Sequence, residues 1–270
     1  NGRKYFFGQP LFLLPSGKFT NFLFWIMKKF SLRFLILILS FASVKSLAQP
    51  VQPWVEIASP TNNFLTRLHF IDNNTGWACG ANGTIIHTSD AGKNWNVQPT
   101  GLSTFIHDIF FLNENYGWAL SWTDVSPYKT VVLSTTNGGD NWSSEDYHEN
   151  NIFFNAVYYL DSLTGYMGGP PIVKTTDGGV TWRNKYTYDA DSIPPDVSQL
   201  PIKNFHFHND QFGFSSGGFI DFAGVMWRTS DFGETWAAQA VAADPIIDFF
   251  ILDSLNVVGL AGDPEGLYGI

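Results

Sequence analysis

The sequence predicts an all-β fold, a β-propeller made of four-stranded antiparallel blades. Three observations predict it. A short signature recurs four times, as Thr88-Ser89-Asp90-Ala91-Gly92-Lys93-Asn94-Trp95, Thr135-Thr136-Asn137-Gly138-Gly139-Asp140-Asn141-Trp142, Thr175-Thr176-Asp177-Gly178-Gly179-Val180-Thr181-Trp182 and Thr229-Ser230-Asp231-Phe232-Gly233-Glu234-Thr235-Trp236. Its tryptophans lie 47, 40 and 54 positions apart, the length of one four-stranded blade. The runs between are short, β-branched or aromatic, bounded by Gly, Asn and Asp, with no long 3.6-residue periodicity after the N-terminal region.

Each blade is expected to open on an aromatic-rich strand, turn at an Asp or Asn, and enter its second strand at a Gly-aromatic pair. The chain gives Leu68 to Asp72 then Gly76-Trp77, Ile109 to Asn113 then Gly117-Trp118, Val157 to Asp161 then Gly165-Tyr166, and Phe205 to Asn209 then Gly213-Phe214. A fifth copy starts at Phe249 to Asp253 and continues through Val257-Val258, giving four blades and part of a fifth. Within the signature, Gly92, Gly139, Gly179 and Gly233 supply the positive φ of a tight turn. Asp90, Asp177 and Asp231 cap that turn by accepting its N–H groups. Asn137 stands at the same position and can cap but cannot act as an anionic ligand or base, so the column reads as architecture. Trp95, Trp142, Trp182 and Trp236 open the last strand and offer an apolar face for packing between sheets. Trp54 precedes Asp72 by 18 residues, as Trp95 precedes Asn113, so it is expected to sit on a last strand and close the ring onto the final blade.

The signature resembles the Asp-box, or bacterial neuraminidase repeat, Ser/Thr-x-Asp-x-Gly-x-x-Trp. With its upstream Gly-Trp pairs and Asp-Gly-Gly-x-x-Trp turn, the chain most resembles the photosystem II assembly/stability factor-like propellers, over residues 50–270. That resemblance implies a ring of about seven blades when complete, often in exported proteins with no photosynthetic role. It bears on fold more than function, because sialidases, sortilin-type receptors and xyloglucanases share the box.

The N-terminal region reads as an export signal. Met27 is a plausible start, Lys28 and Lys29 a basic n-region, Leu35 to Leu39 an apolar core, and Ser46-Leu47-Ala48 a cleavage site before Gln49. The apolar run is shorter than the ~20 residues of a membrane-spanning helix. The expected organisation is therefore an upstream segment at 1–26 with no folded role, a signal peptide at 27–48, and one incomplete propeller domain at 49–270 that carries no membrane span. All 24 acidic residues but only 8 basic ones follow Ala48, a net charge of −16 against −9 for the whole chain. Such a surface repels phosphate backbones, which argues against nucleic acid as a partner. Cys79 is the only cysteine, so no intramolecular disulfide forms, and it reads as a small buried hydrophobe. Residues 187–196 are read as an inserted loop between blades, and residues 122–128 as an extension of the second blade's hairpin.

Catalytic constellations are weak. Arg67, Arg183 and Arg228 match a sialidase's arginine count but not its sequence contexts, and the Phe-Arg-Ile-Pro entry motif is absent. With 24 acids, some glycosidase-like carboxylate pair is inevitable and discriminates nothing. His206 and His208 share a strand face near Asp210, but their columns are otherwise aromatic and aliphatic. Asp189 and Asp191 lack the further ligands of a calcium loop. We expect no metal and no cofactor. The stronger candidate is a variable column on the first strand of each blade: Arg67, Asp108, Ala156, Asn204 and Asp248. Its neighbours Leu68, Ile109, Val157, Phe205 and Phe249 are apolar and expected to pack. If the first strand is innermost, Arg67, Asp108, Asn204 and Asp248 ring the channel mouth and form the partner site, with the 187–196 loop. The expected function is an exported, non-enzymatic scaffold binding a protein or glycan; the alternative is a secreted carbohydrate-active enzyme.

Overall fold

The computed structural model describes residues 55–190 and 196–262. The chain divides into two units, Asn1–Val55 and Glu56–Ile270, and every described strand lies in the second. The export signal at 27–48 and the ring-closing Trp54 fall outside the described residues.

The described residues form a β-propeller with no helix among them. Blade one is the antiparallel meander β1 (Leu65–Phe70), β2 (Gly76–Gly80), β3 (Ile85–Thr88) and β4 (Asn96–Gln98). Blade two comprises β5 (Ile106–Phe111), β6 (Gly117–Trp122), β7 (Thr130–Thr135) and β8 (Ser143–Asp146). Blade three comprises β9 (Ala156–Tyr159), β10 (Gly165–Gly168), β11 (Ile172–Thr175) and β12 (Arg183–Asn184). After β13 (Tyr186–Asp189), blade four comprises β14 (Ile202–Phe207), β15 (Gly213–Phe219), β16 (Ala223–Thr229) and β17 (Thr235–Ala242). The hairpin β18 (Ile246–Ile251) and β19 (Val257–Ala261) begins blade five. The first strands neighbour one another in sequence order, β1 beside β5, β5 beside β9, β9 beside β14 and β14 beside β18. They are therefore innermost, and the sheets radiate from them.

A repeating set of three aromatic side chains holds blade to blade. The aromatic near the end of each first strand (Phe70, Phe111, Tyr159, Phe207) covers the glycine opening its own second strand (Gly76, Gly117, Gly165, Gly213). A Cβ on Gly117 would stand 2.4 Å from the Phe111 ring, so only glycine fits beneath it. The preceding blade's second-strand aromatic then stacks on that ring: Trp77 on Phe111 at 3.5 Å and Trp118 on Tyr159 at 3.5 Å, with Tyr166 on Phe207 at 4.9 Å. The signature tryptophan meets the same ring edge-on within its blade, as Trp142 does on Phe111 at 5.8 Å and Trp236 on Phe207 at 5.9 Å. Four hydrophobic clusters fill the successive gaps between blades, and each fully buried large side chain contributes about 1.5–3 kcal/mol.

The signature turns explain their own sequence. Thr88 Oγ1 accepts the Gly92 N–H at 3.0 Å and donates to Asp90 Oδ1 at 2.9 Å, while that carboxylate accepts the Asn94 N–H at 2.9 Å. Asp177 and Asp231 repeat the pattern, and Asn137 does so through its amide oxygen. The required left-handed backbone is present at Gly92, Gly139, Gly179 and Gly233 (φ 79°, 93°, 97° and 71°), and also at the residue before each. Packing of the tryptophans is uneven: Trp236 is fully buried, whereas Trp95, Trp142 and Trp182 are half-buried.

Two expectations need correction. Residues 187–196 are not simply a loop between blades. Tyr186–Asp189 form β13, which pairs in parallel with β17 and gives blade four a fifth, outer strand. The outer edge of a blade carries unpaired backbone groups, and the inserted segment satisfies them. Leu68 does not pack with its column. It is 64% exposed, while Ile109, Val157, Phe205 and Phe249 are buried between blades.

Candidate functional site: the central polar cavity

Four of the five first-strand column positions share a backbone device. A β-bulge falls between Leu65 and Arg67, Ile106 and Asp108, Ile202 and Asn204, and Ile246 and Asp248. In a regular strand, residues two apart share a face, so Asp108 would follow Ile106 into the apolar gap. The extra residue breaks that alternation and re-aims the polar side chain towards the ring axis. The fifth position, Ala156, carries no polar group and is fully buried.

The structure brings Arg67, Asp108 and Asn204 into contact. Arg67 Nη1 donates to Asn204 Oδ1 at 2.9 Å, Nη2 to the Lys203 carbonyl at 2.6 Å, and Nε lies 3.5 Å from Asp108 Oδ1. Asp108 Oδ2 accepts the Val157 N–H at 2.8 Å, and Asn204 Nδ2 donates to the Ile247 carbonyl at 2.8 Å. One network thus ties all five blades at their inner edges. Asp248 stays exposed and, among the described residues, accepts only its neighbour Phe249 N–H, at 2.8 Å. Together these residues line a central cavity of about 550 Å³ with His69 and His206.

The electrostatics follow from burial. Burial pushes the Asp108 carboxyl up to about 6, with the Arg67 guanidinium and the backbone donors pulling the other way. His69 is lowered by burial and stays neutral at pH 7, its Nε2 2.9 Å from the Phe111 carbonyl. Cys79 is fully buried and its thiol is pushed well above the usual range by burial, with Asp108 adding to the effect. Among the described residues, no group of three or more His, Cys, Asp or Glu side chains converges. No helix of the described residues is long and apolar enough to cross a membrane.

The fold and site together define a β-propeller repeat protein with a polar cavity at the inner strands of its described blades. No family model matches the chain. A stretch of 59 residues, 21% of this chain, is 36% identical to the photosystem II assembly protein Ycf48 of Thermosynechococcus vestitus (strain NIES-2133 / IAM M-273 / BP-1), and the match spans 17% of that relative's length. Among solved structures, YCF48 bound to D1 peptide is similar over 78% of this chain and 93% of its own, at 18% identity and a TM-score of 0.46. The GH74 xyloglucanase from Xanthomonas campestris is similar over 68% of this chain and 31% of its own, at 14% identity and a TM-score of 0.47.

Proposed function

We propose that this chain is an exported propeller of the Asp-box type that acts as a non-enzymatic scaffold, binding a protein partner at the central cavity. The observation that carries the proposal is the four-fold bulge that turns Arg67, Asp108, Asn204 and Asp248 out of the apolar gaps and towards one cavity. Packing alone does not require polar groups there, because Ala156 serves blade three. The short likeness to a photosystem II assembly protein agrees with a scaffold role. Export rests on the 27–48 leader of the sequence.

A carbohydrate-active enzyme is the rival reading, and Asp108, with its raised pKa, is the observation that favours it. Both Asp108 oxygens are already engaged, one by Arg67 and one by the Val157 N–H, which leaves little freedom to trade protons with a sugar. A panel of chromogenic glycosides tests it directly. Turnover abolished in a folded Arg67→Gln, Asp108→Asn double variant would replace the scaffold reading with hydrolysis.

The scaffold reading is tested by a photo-crosslinking residue placed at Asp248, exposed in the cavity, or at Val97, exposed on the outer strand of blade one. The first should yield a discrete protein adduct in the native envelope and the second none. An adduct at neither position, or equally at both, rejects the central site. Arg67 and Asp108 are unsuited to single substitution, since removing one leaves the other buried without its partner. The double variant Arg67→Gln, Asp108→Asn removes the ion pair as a unit and should fold.

A further inference from the structure

The blades form an internal comparison series, because corresponding interfaces are built from corresponding positions. In each, the signature turn of one blade sits against the second, third and fourth strands of the blade before it. Between blades one and two, the turn carbonyl of Gly138 accepts from Trp77 Nε1 at 3.1 Å and Gln98 Nε2 at 2.8 Å. His87 stacks on Trp77 at 4.7 Å, and Asp140 of the turn exerts a favourable charge on it. Between blades three and four, the matching carbonyl of Phe232 accepts from Tyr166 Oη at 2.8 Å and Lys174 Nζ at 2.7 Å. Lys174 Nζ lies 5.6 Å from the centre of the Tyr166 ring. Lys174 and Lys185 both reach Glu234 of the turn, at 2.7 and 2.8 Å.

Blades two and three break the series. Ser134 stands where His87 and Lys174 stand, and its hydroxyl pairs with Ser143 within its own blade at 2.9 Å. Glu145 replaces Gln98 and Lys185, so an acceptor replaces a donor. Val180 replaces Asp140 and Glu234 and is 80% exposed. Among the described residues no donor reaches the Gly178 carbonyl, the counterpart of Gly138 and Phe232. What remains is a cleft of about 550 Å³ lined by Ser134, Glu145, Gly178 and Val180, with Trp118 buried beneath them. The cleft also contains a second kind of orphan. The Tyr159 hydroxyl is buried without a partner, on a residue 1% exposed, and lies against the Gly179 turn.

We propose that this cleft is a docking site for a basic side chain, arginine or lysine, presented by an extended segment of a partner protein. The incoming cation takes the place that Lys174 holds one interface further round. It donates to the Gly178 carbonyl and is neutralised by Glu145. The net charge of −16 after Ala48 steers a basic segment towards it. An acidic segment would be repelled by Glu145, and a neutral one could donate to the Gly178 carbonyl but would leave the Glu145 charge unbalanced. The site is separate from the central cavity and stands or falls independently of it.

The probe is a labelled short peptide alternating glycine and arginine, with its glycine–glutamine counterpart as the neutral control, titrated into the full chain by fluorescence anisotropy. Two variants make the cleft resemble its neighbours. Ser134→Lys supplies the cation in cis, as Lys174 does, and Glu145→Gln restores the donor found at Gln98. Each should weaken the arginine peptide by about tenfold, the worth of one charge-assisted bond. Asp124→Asn makes a similar charge change on an exposed loop of the same blade and should alter binding by less than about twofold. If Ser134→Lys fails to fold, Glu145→Gln decides alone, its melting temperature serving as the check. Binding unchanged in Glu145→Gln overturns the proposal. So does equal loss in Asp124→Asn, which would mean diffuse attraction, or equal binding of the neutral peptide.

Discussion

Replacing Gly117 by alanine tests the aromatic stacking unit. In an ordinary strand this change stabilises by about 0.5–1 kcal/mol, because alanine gives up less backbone freedom. Here the new methyl would stand 2.4 Å from Phe111 Cε1, where ordinary contact begins at 3.4 Å. The ring cannot retreat, because Trp77 stacks on it at 3.5 Å and 4° while Trp142 meets its edge at 5.8 Å. Overpacking a fixed site costs about 1–3 kcal/mol, so a net loss near 2 kcal/mol is expected. For a domain of this size that is a fall in Tm of roughly 4–8 °C, read by calorimetry or circular dichroism. The double variant adds a sharper readout. Phe111→Ala alone costs about 3–5 kcal/mol by emptying the gap. In that background Gly117→Ala should cost nothing, the coupling expected of two residues in direct contact. Melting of Gly117→Ala at or above the parent temperature, or additive costs in the double variant, would refute the stacking unit as the reason for the Gly-aromatic pair.

Two further outcomes follow from the titration behaviour. Hydrogen bonds from Asn94 to Asp90, and from Thr181 to Asp177, hold both carboxyls down at about 2, against 3.8 for the free group. Their contribution is therefore complete above pH 4 and is lost as pH falls towards 2. Asp90→Asn with Asp177→Asn should keep the turns, as Asn137 does, and shrink the drop in Tm between pH 5 and pH 2.5; an unchanged drop counts against the caps. Cys79 is buried and its thiol is held protonated, so a thiol reagent should leave the native chain untouched and label one equivalent after guanidinium unfolding. Rapid native labelling would contradict the packing of blades one and two.

The parts of the fold legible in the sequence are those where one residue type alone meets a local demand. Gly139 and Gly179 adopt φ of 93° and 97°, and Asp177 must accept what its own turn donates, so spacing reveals them. The outer strand β13 was not legible. Tyr186 to Asp189 alternates acceptably for a strand, but nothing local says that it pairs in parallel with β17, 49 residues away. The central column was half legible. Its position could be counted, but its ties could not, because Arg67 bonds to Asn204 across 137 residues. A signal for the bulge was present. Ile106 and Asp108, Ile202 and Asn204, and Ile246 and Asp248 each set an apolar and a polar residue two apart, which an unbroken strand cannot direct to different places.

Where such a ring can diverge follows from the same packing. Positions inside the aromatic unit are constrained by three neighbours at once, so Trp77, Phe111 and Gly117 leave each other almost no alternatives. The turn carbonyl is less demanding. It needs a donor, and Gln98 with Trp77 or Lys174 with Tyr166 serves equally well. Such positions can drift provided that donors and acceptors change together. At blades two and three they did not: Ser134, Glu145 and Val180 removed the cation, the amide donor and the turn's acid together, leaving Glu145 and Gly178 as acceptors. The Gly178 carbonyl is half-buried at the wall of the cleft, where solvent or a donor from a partner can reach it. Of these three interfaces, that between blades two and three is thus the one that leaves room for a donor from outside the chain, and a lysine supplied in cis by Ser134→Lys should fill it.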